Sequence, residues 1–203
     1  MKVALLIDGG HLRAWAHQGH LQYTPDFIEE FARICHDSST EDVLRILYYD
    51  SPQYRGKQAL PVSSQQKAFQ ASDAWLHNLA RRDLFAVRRG TLAFRGWKLR
   101  KIPISNRPLT DSDFQPNFEQ KGVDMRLGLD IATFSNARTV ERIILVSADQ
   151  DMIPAMKYAR ISGLQIVAIQ FPEARPPLTE RFLAHVDFTR KINVNKLVKK
   201  YQL

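Results

Sequence analysis

Four aspartates have the types and spacing to do chemistry. Asp8 directly follows the apolar run "KVALLI", Asp149 follows "RIILVSA", Asp151 stands two residues beyond it, and Asp124 lies in "KGVDMRLGLDIATFS". In an open parallel sheet, ligands bind outside the carboxyl ends of strands, so acids at two such ends share a crevice. Carboxylates gathered there repel one another unless protons or cations neutralise them. An all-oxygen donor set suits Mg²⁺ or Mn²⁺, and such an ion supports hydrolysis of a phosphodiester.

Each acid also has an ordinary structural reading. Asp8 before Gly9 and Gly10 is a common turn residue. Asp151 precedes a helix start and is a good N-cap, but Pro154 would then fall at the third helical position, where it has no N–H to give. Capping is thus an incomplete account of Asp151, and the expectation is that it covers the helix start while completing a metal shell, with Asp149 the direct ligand. On the helix from Val123, the apolar stripe of Val123, Leu127, Ile131 and Phe134 has Asp130 inside it and Asp124 at its edge. Asp124 falls in the first turn, where the helix dipole favours an anion, and is read as a site carboxylate. Asp130 is read as a buried hydrogen-bonding residue, because an acid facing a core needs a partner.

The elements that must position these acids alternate. "KVALLI", "DVLRILYYD", "RIILVSA" and "LQIVAIQF" are strand-like runs; "PDFIEEFARICHD", "GVDMRLGLDIATFS" and "IPAMKYARIS" have helical spacing, the first with Thr24 and Pro25 as start signals. A longer helix is predicted over 63–82 from Phe69, Trp75, Leu76 and Leu79, two strands around Gly90, and a loop over 106–120. The alternation predicts a three-layer α/β/α sandwich with a mainly parallel central sheet. One domain of 203 residues is expected, with a basic strand-rich insertion at about 81–107 and a mixed C-terminal tail over 172–203. A chain of this length buries roughly 70% of its unfolded surface and needs no staples.

Between Arg81 and Arg107 nine bases face one acid, Asp83, so this segment alone carries the chain's net charge of +8. The bland account is a solvated strand pair whose cations discourage edge pairing. The interleaved Phe94 and Trp97 favour a polyanion surface instead, with Arg88, Arg89, Arg95, Lys98, Arg100 and Lys101 on a phosphate backbone and Trp97 or Phe94 stacked on an unpaired base. The single cysteine, Cys35, excludes an internal disulfide and a cysteine-based zinc cluster, which makes a reducing cytoplasm the default location. No apolar run approaches the ~18 residues of a membrane span.

"LLIDGGHL", "KGVDMRLGLDIA" and "ILVSADQDMIPAMKYARISGLQIVAI" together resemble, in order, the three blocks of the NYN domain, a PIN-like nuclease fold, in its LabA-like branch. The resemblance implies an acidic divalent-metal pocket made by Asp8, Asp124, Asp149 and Asp151, RNA as the substrate, and cleavage of it as the activity; it is compatible with a homodimer. One position departs from the pattern: His11 stands where the family usually has asparagine, and histidine there can donate, ligate or shuttle a proton to the substrate. The expected function is therefore a metal-dependent endoribonuclease, with a non-catalytic RNA-binding or regulatory module as the alternative. A phosphatase of the haloacid dehalogenase type would need a second acid two residues after Asp8, where Gly10 stands.

Overall fold

A computed structural model describes residues 1–102, 107–172 and 177–203. In chain order the elements are β1 (Lys2–Asp8), α1 (Gly9–Gln18), α2 (Pro25–Ile34), β2 (Asp42–Asp50), β3 (Gly56–Ala59), β4 (Gln66–Phe69), α3 (Ala74–Ala80), β5 (Phe85–Arg89), β6 (Thr91–Leu99) and β7 (Phe114–Lys121). They continue with α4 (Val123–Ala137), β8 (Arg142–Val146), α5 (Ile153–Ile161), β9 (Gln165–Gln170), α6 (Glu180–Leu183), β10 (Phe188–Lys191) and α7 (Asn195–Tyr201).

Six strands form one sheet in the order β10-β9-β8-β1-β2-β5, every pair parallel. The strands read as nearly continuous apolar runs because both faces are covered. Alternate residues go to opposite sides. Val3, Leu5, Ile7 and Tyr48 face a core closed by Leu12 of α1, Phe27 and Phe31 of α2, Leu76 of α3 and Leu197 of α7. Ala4, Leu6, Leu47 and Tyr49 face a second core, closed by Leu127 and Ile131 of α4, Met156 of α5 and Phe182 of α6. The predicted three-layer α/β sandwich is the observed fold.

Three local expectations are corrected. The helix over 63–82 shrinks to α3, because Phe69 pairs in the two-stranded ribbon β3–β4 instead of continuing a helix. The two strands flanking Gly90 do not pair with each other: β5 is the edge of the main sheet, parallel to β2, while β6 pairs antiparallel with β7. Gly90 is there for close approach, since a Cβ would meet Val123 Cγ2 at 2.6 Å and Ser51 Oγ at 2.7 Å. The supposed loop over 106–120 contains β7, and its Pro116 is tolerated because it faces the irregular stretch between Phe94 and Trp97, where Gly96 adopts φ +91°. The proposed ends of these segments at Pro103, Ile104 and Asn106, and 173–176 of the tail, lie outside the described residues.

The two ribbons are joined by Tyr54, Phe69, Phe94, Trp97 and Phe118, whose ring centroids lie 5.4–6.2 Å apart in the contacting pairs. Lys67 sits over both Phe69 and Trp97 at 5.6 Å. Trp97 Nε1 donates to the Ala59 carbonyl at 2.8 Å. These half-buried aromatics form a small apolar cluster, apart from the two cores, that a two-stranded ribbon alone would lack.

Candidate functional site

β1 is the point where the order of the sheet reverses, since the chain builds outward through β2 and β5 and then returns to β8 on β1's other side. That is where an open α/β sheet forms its ligand crevice. Asp8 ends β1, Asp149 follows β8, and Asp124 lies in the first turn of α4.

Asp8 caps α1, its Oδ1 accepting the His11 N–H at 3.1 Å, while Ser147 Oγ donates to Oδ2 at 3.4 Å. Ser147 is fully buried, and its hydroxyl also accepts the Asp149 N–H at 3.1 Å, so one side chain ties the ends of β1 and β8 together. Asp149 Oδ1 accepts the Asp151 N–H at 2.9 Å, capping a short 3-10 turn, Gln150–Met152, that precedes α5. The capping role expected of Asp151 thus falls to Asp149. Pro154 takes the second position of α5, whose own N-cap is Met152, so its missing N–H costs nothing there.

Burial raises the carboxyl pKa of Asp8 above the ordinary aspartate value; the backbone N–H groups of His11 and Gly10 pull it down, and the charges of Asp50 and Asp149 push it up further. Asp124 is also raised, first by burial and then by Asp149, Asp8 and Asp151. Asp124 therefore senses the other three predicted acids, and Asp8 senses Asp149. Among the described residues, no lysine or arginine lies within ion-pair distance of any of them, although thirteen ion pairs form elsewhere. The donor chemistry fits a hard divalent cation. Among the described residues, no group of three His, Cys, Asp or Glu side chains is gathered as a ready ligand set for a metal.

A fifth carboxylate, Asp50, ends β2 beside Asp8 and is 1% exposed. Arg13 of α1 neutralises it with two hydrogen bonds of 2.6 and 3.2 Å, joined by Tyr48 Oη at 3.0 Å and the Ser51 N–H at 2.8 Å. Tyr23 links Tyr48 Oη, at 2.7 Å, to the Gly9 carbonyl, at 3.2 Å. A Cβ on Gly9 would collide with the Tyr48 hydroxyl, so this network and a glycine together set the path of the chain after Asp8. Asp50 was legible by the rule that found Asp8 and Asp149, an acid ending an apolar strand.

The predicted substrate contacts divide. Arg88 is paired with Asp130 at 2.8 Å, and Tyr49 Oη donates to the same carboxylate at 2.9 Å, which gives Asp130 the hydrogen-bonding role expected of it. Arg95 is paired with Glu119, and Arg100 Nε donates to the Phe114 carbonyl at 3.0 Å. Arg89, Lys98 and Lys101 are outside ion-pair distance of any carboxylate among the described residues. His11 packs its ring 5.1 Å from Phe171, and burial lowers its pKa, so at neutral pH the ring is uncharged.

The family model of the NYN domain matches residues 2–189. The chain belongs to the NYN family. Comparison with curated proteins and with solved structures gives no match. The NYN domain has a PIN-like, nuclease-type fold, and the six-stranded parallel sheet with its reversal at β1 is consistent with it. No helix among the described residues is long and apolar enough to cross a membrane.

Proposed function

We propose that this NYN protein is a divalent-metal-dependent endoribonuclease of the LabA-like branch. The observation that carries the reading is a set of acids at the reversal of the sheet, where Asp8 and Asp124 are raised by burial and by neighbouring acids while no lysine or arginine among the described residues pairs with Asp8, Asp124, Asp149 or Asp151. Mg²⁺ or Mn²⁺ would be held by these four acids and would supply a lowered water pKa and charge stabilisation at the leaving oxygen. Because Mg²⁺ keeps several waters, acids not gathered as a ready ligand set can serve it partly through water.

The protein's own share of the work is positional. Ser147 and the His11 amide fix the two oxygens of Asp8, and Asp149, capping the 3-10 turn, fixes the backbone at Asp151. The uncharged ring of His11, packed on Phe171, would offer a nitrogen to a substrate oxygen. Arg89, Lys98 and Lys101 are available to phosphates at once, whereas Arg88 and Arg95 must exchange a carboxylate for a phosphate. In-line attack of water would leave a 5′-phosphate and a 3′-hydroxyl. A single buried cysteine suits the reducing cytoplasm.

That no ready metal-ligand group is gathered among the described residues favours one alternative, a non-catalytic RNA-binding module. Incubation of total RNA with the protein and Mn²⁺, with sequencing of the new ends, decides between them. Cleavage by wild type that vanishes in Asp149→Asn, with RNA binding retained, supports the nuclease; RNA binding without cleavage or Mn²⁺ binding supports the module.

A further inference from the structure

Beside the acids, and separated from them by Gly10 and Gln120, lies a cleft of about 480 Å³ lined by Arg13, Tyr23, Gln53, Trp75, Leu92 and Gln120, with Asp50 at its base. Gln120 lies between the cleft and Asp8. Gln120 Oε1 lies 3.7 Å from where a Gly10 Cβ would be, Asp8 Oδ1 lies 3.2 Å from the same point, and Gln120 Nε2 reaches Asp50 Oδ1 at 3.5 Å. The walls come from separate parts of the chain: α1 and the segment after it, α3, β6 and β7.

The lining says what kind of group fits. Arg13 is the one arginine or lysine in it, and both its terminal nitrogens are already committed to Asp50. A phosphate would find no free arginine or lysine there, and the other basic side chain of the lining is His17. Trp75 packs edge-on against Tyr23 and Tyr48, at 6.4 and 6.1 Å, which fixes its ring as a wall; Leu92 supplies an apolar surface. Gln53 and Gln120 each bring one amide donor and one amide acceptor. A flat, uncharged, heteroaromatic group with hydrogen-bonding edges matches such a lining, and the volume lies within the range of ordinary ligand pockets.

Resting on the ribonuclease reading, we propose that this cleft takes one unpaired nucleobase of the RNA, that of a nucleotide next to the phosphate lying over the acids. Single-stranded RNA is recognised by bases that leave the stack, lie on aromatic side chains and are read at their edges. The cleft thereby selects unpaired over duplex RNA and prefers certain bases at one position beside the cut. Gln53 and Gln120 set that preference, and Trp75 supplies the stacking surface.

The test is equilibrium binding in EDTA, which needs no catalysis. A short single-stranded RNA and the same RNA with its bases removed at successive single positions are titrated against wild type, Trp75→Ala, Gln53→Ala and Leu92→Trp, which fills the cleft from the opposite wall. Far-UV circular dichroism and melting confirm that each variant is folded. Wild type should lose about tenfold in affinity when one base is removed. Trp75→Ala and Leu92→Trp should erase that penalty, and Gln53→Ala should alter which base is preferred. An equal penalty in all folded variants, or none in wild type, overturns the proposal. The nuclease reading fails separately: a base penalty that follows the cleft variants, without cleavage in Mn²⁺, leaves the cleft in place and removes the enzyme.

Discussion

Glu41, just before β2, and the aspartate pocket, beyond the other ends of β1 and β8, place carboxylates near opposite ends of one sheet and surround them in opposite ways. Glu41 is 6% exposed; Arg190 holds it with two bonds of 2.8 Å, Arg142 joins from the start of β8, and the Asp37 N–H adds a third donor at 2.8 Å. Burial by itself would raise its pKa, but the hydrogen bonds from Arg190, Asp37 and Arg142 outweigh it and lower the value to about 2. Asp8 and Asp124 are raised instead. The fold can thus satisfy a buried acid with arginine where it needs only stability. Where it leaves acids uncompensated, it leaves a charge deficit for a ligand to fill.

The largest effect expected from this contrast is on chemistry. On the proposed reading, Asp8→Asn, which retains a good N-cap for α1, should cut Mn²⁺-dependent RNA cleavage by at least about a thousandfold, measured as single-turnover rate, because a ligand charge would be lost where the leaving oxygen would be stabilised. A residual rate within tenfold of wild type would remove Asp8 from the site. Next in size is the neutralised end: Glu41→Gln should cost about 3 kcal/mol in urea denaturation, since Arg142 and Arg190 lose their counter-charge. Comparable in size, Mn²⁺ at about a hundred times its Kd should stabilise wild type by about 2.7 kcal/mol and Asp149→Asn far less, read as a shift in Tm. Equal shifts in both proteins would mean that the ion binds elsewhere.

The smallest effect has the most distinctive sign. A raised carboxyl favours the folded state while protonated, so the support Asp8 gives is present below pH 3.8 and is lost as pH rises through its raised value. A lowered carboxyl does the reverse, so the support from Glu41 is complete above pH 4.5 and is lost as pH falls toward about 2. In EDTA, Asp8→Asn should therefore be slightly more stable than wild type at neutral pH, by about 1 kcal/mol at most, with the gain vanishing in acid. The deficit of Glu41→Gln should shrink in acid. Denaturation midpoints taken across pH 2–7 distinguish the two curves.

Much of this was legible in the sequence, and the failures have local physical reasons. The bounds of β2 were readable because an apolar run closed by acids has one interpretation, and Thr24 caps α2 as its position suggested. The positions of Asp8 and Asp149 after apolar runs, and of Asp124 in a first helical turn, were readable in the same way. Phe69 fits a helical period in sequence, yet its partners Phe94 and Phe118 come from β6 and β7, which no local pattern can reveal. The basicity of 81–107 was read as an open surface, but Asp26, Glu29, Asp130, Glu119 and Asp113 answer five of its arginine contacts from elsewhere or nearby. The Arg13–Asp50 pair and the reach of Gln120 were likewise invisible, because each joins segments distant in the chain.

The central place of β1 has a consequence for how the molecule comes into being. Its second neighbour, β8, begins at Arg142, and the Ser147 hydroxyl that meets Asp8 is 139 residues away along the chain. Loop closure over that distance is slow compared with forming α1 or α2, so the sheet is completed late. During synthesis, the first half can pair β1 with β2 and fold α2 against them while lacking every acid that β8 and α4 bring.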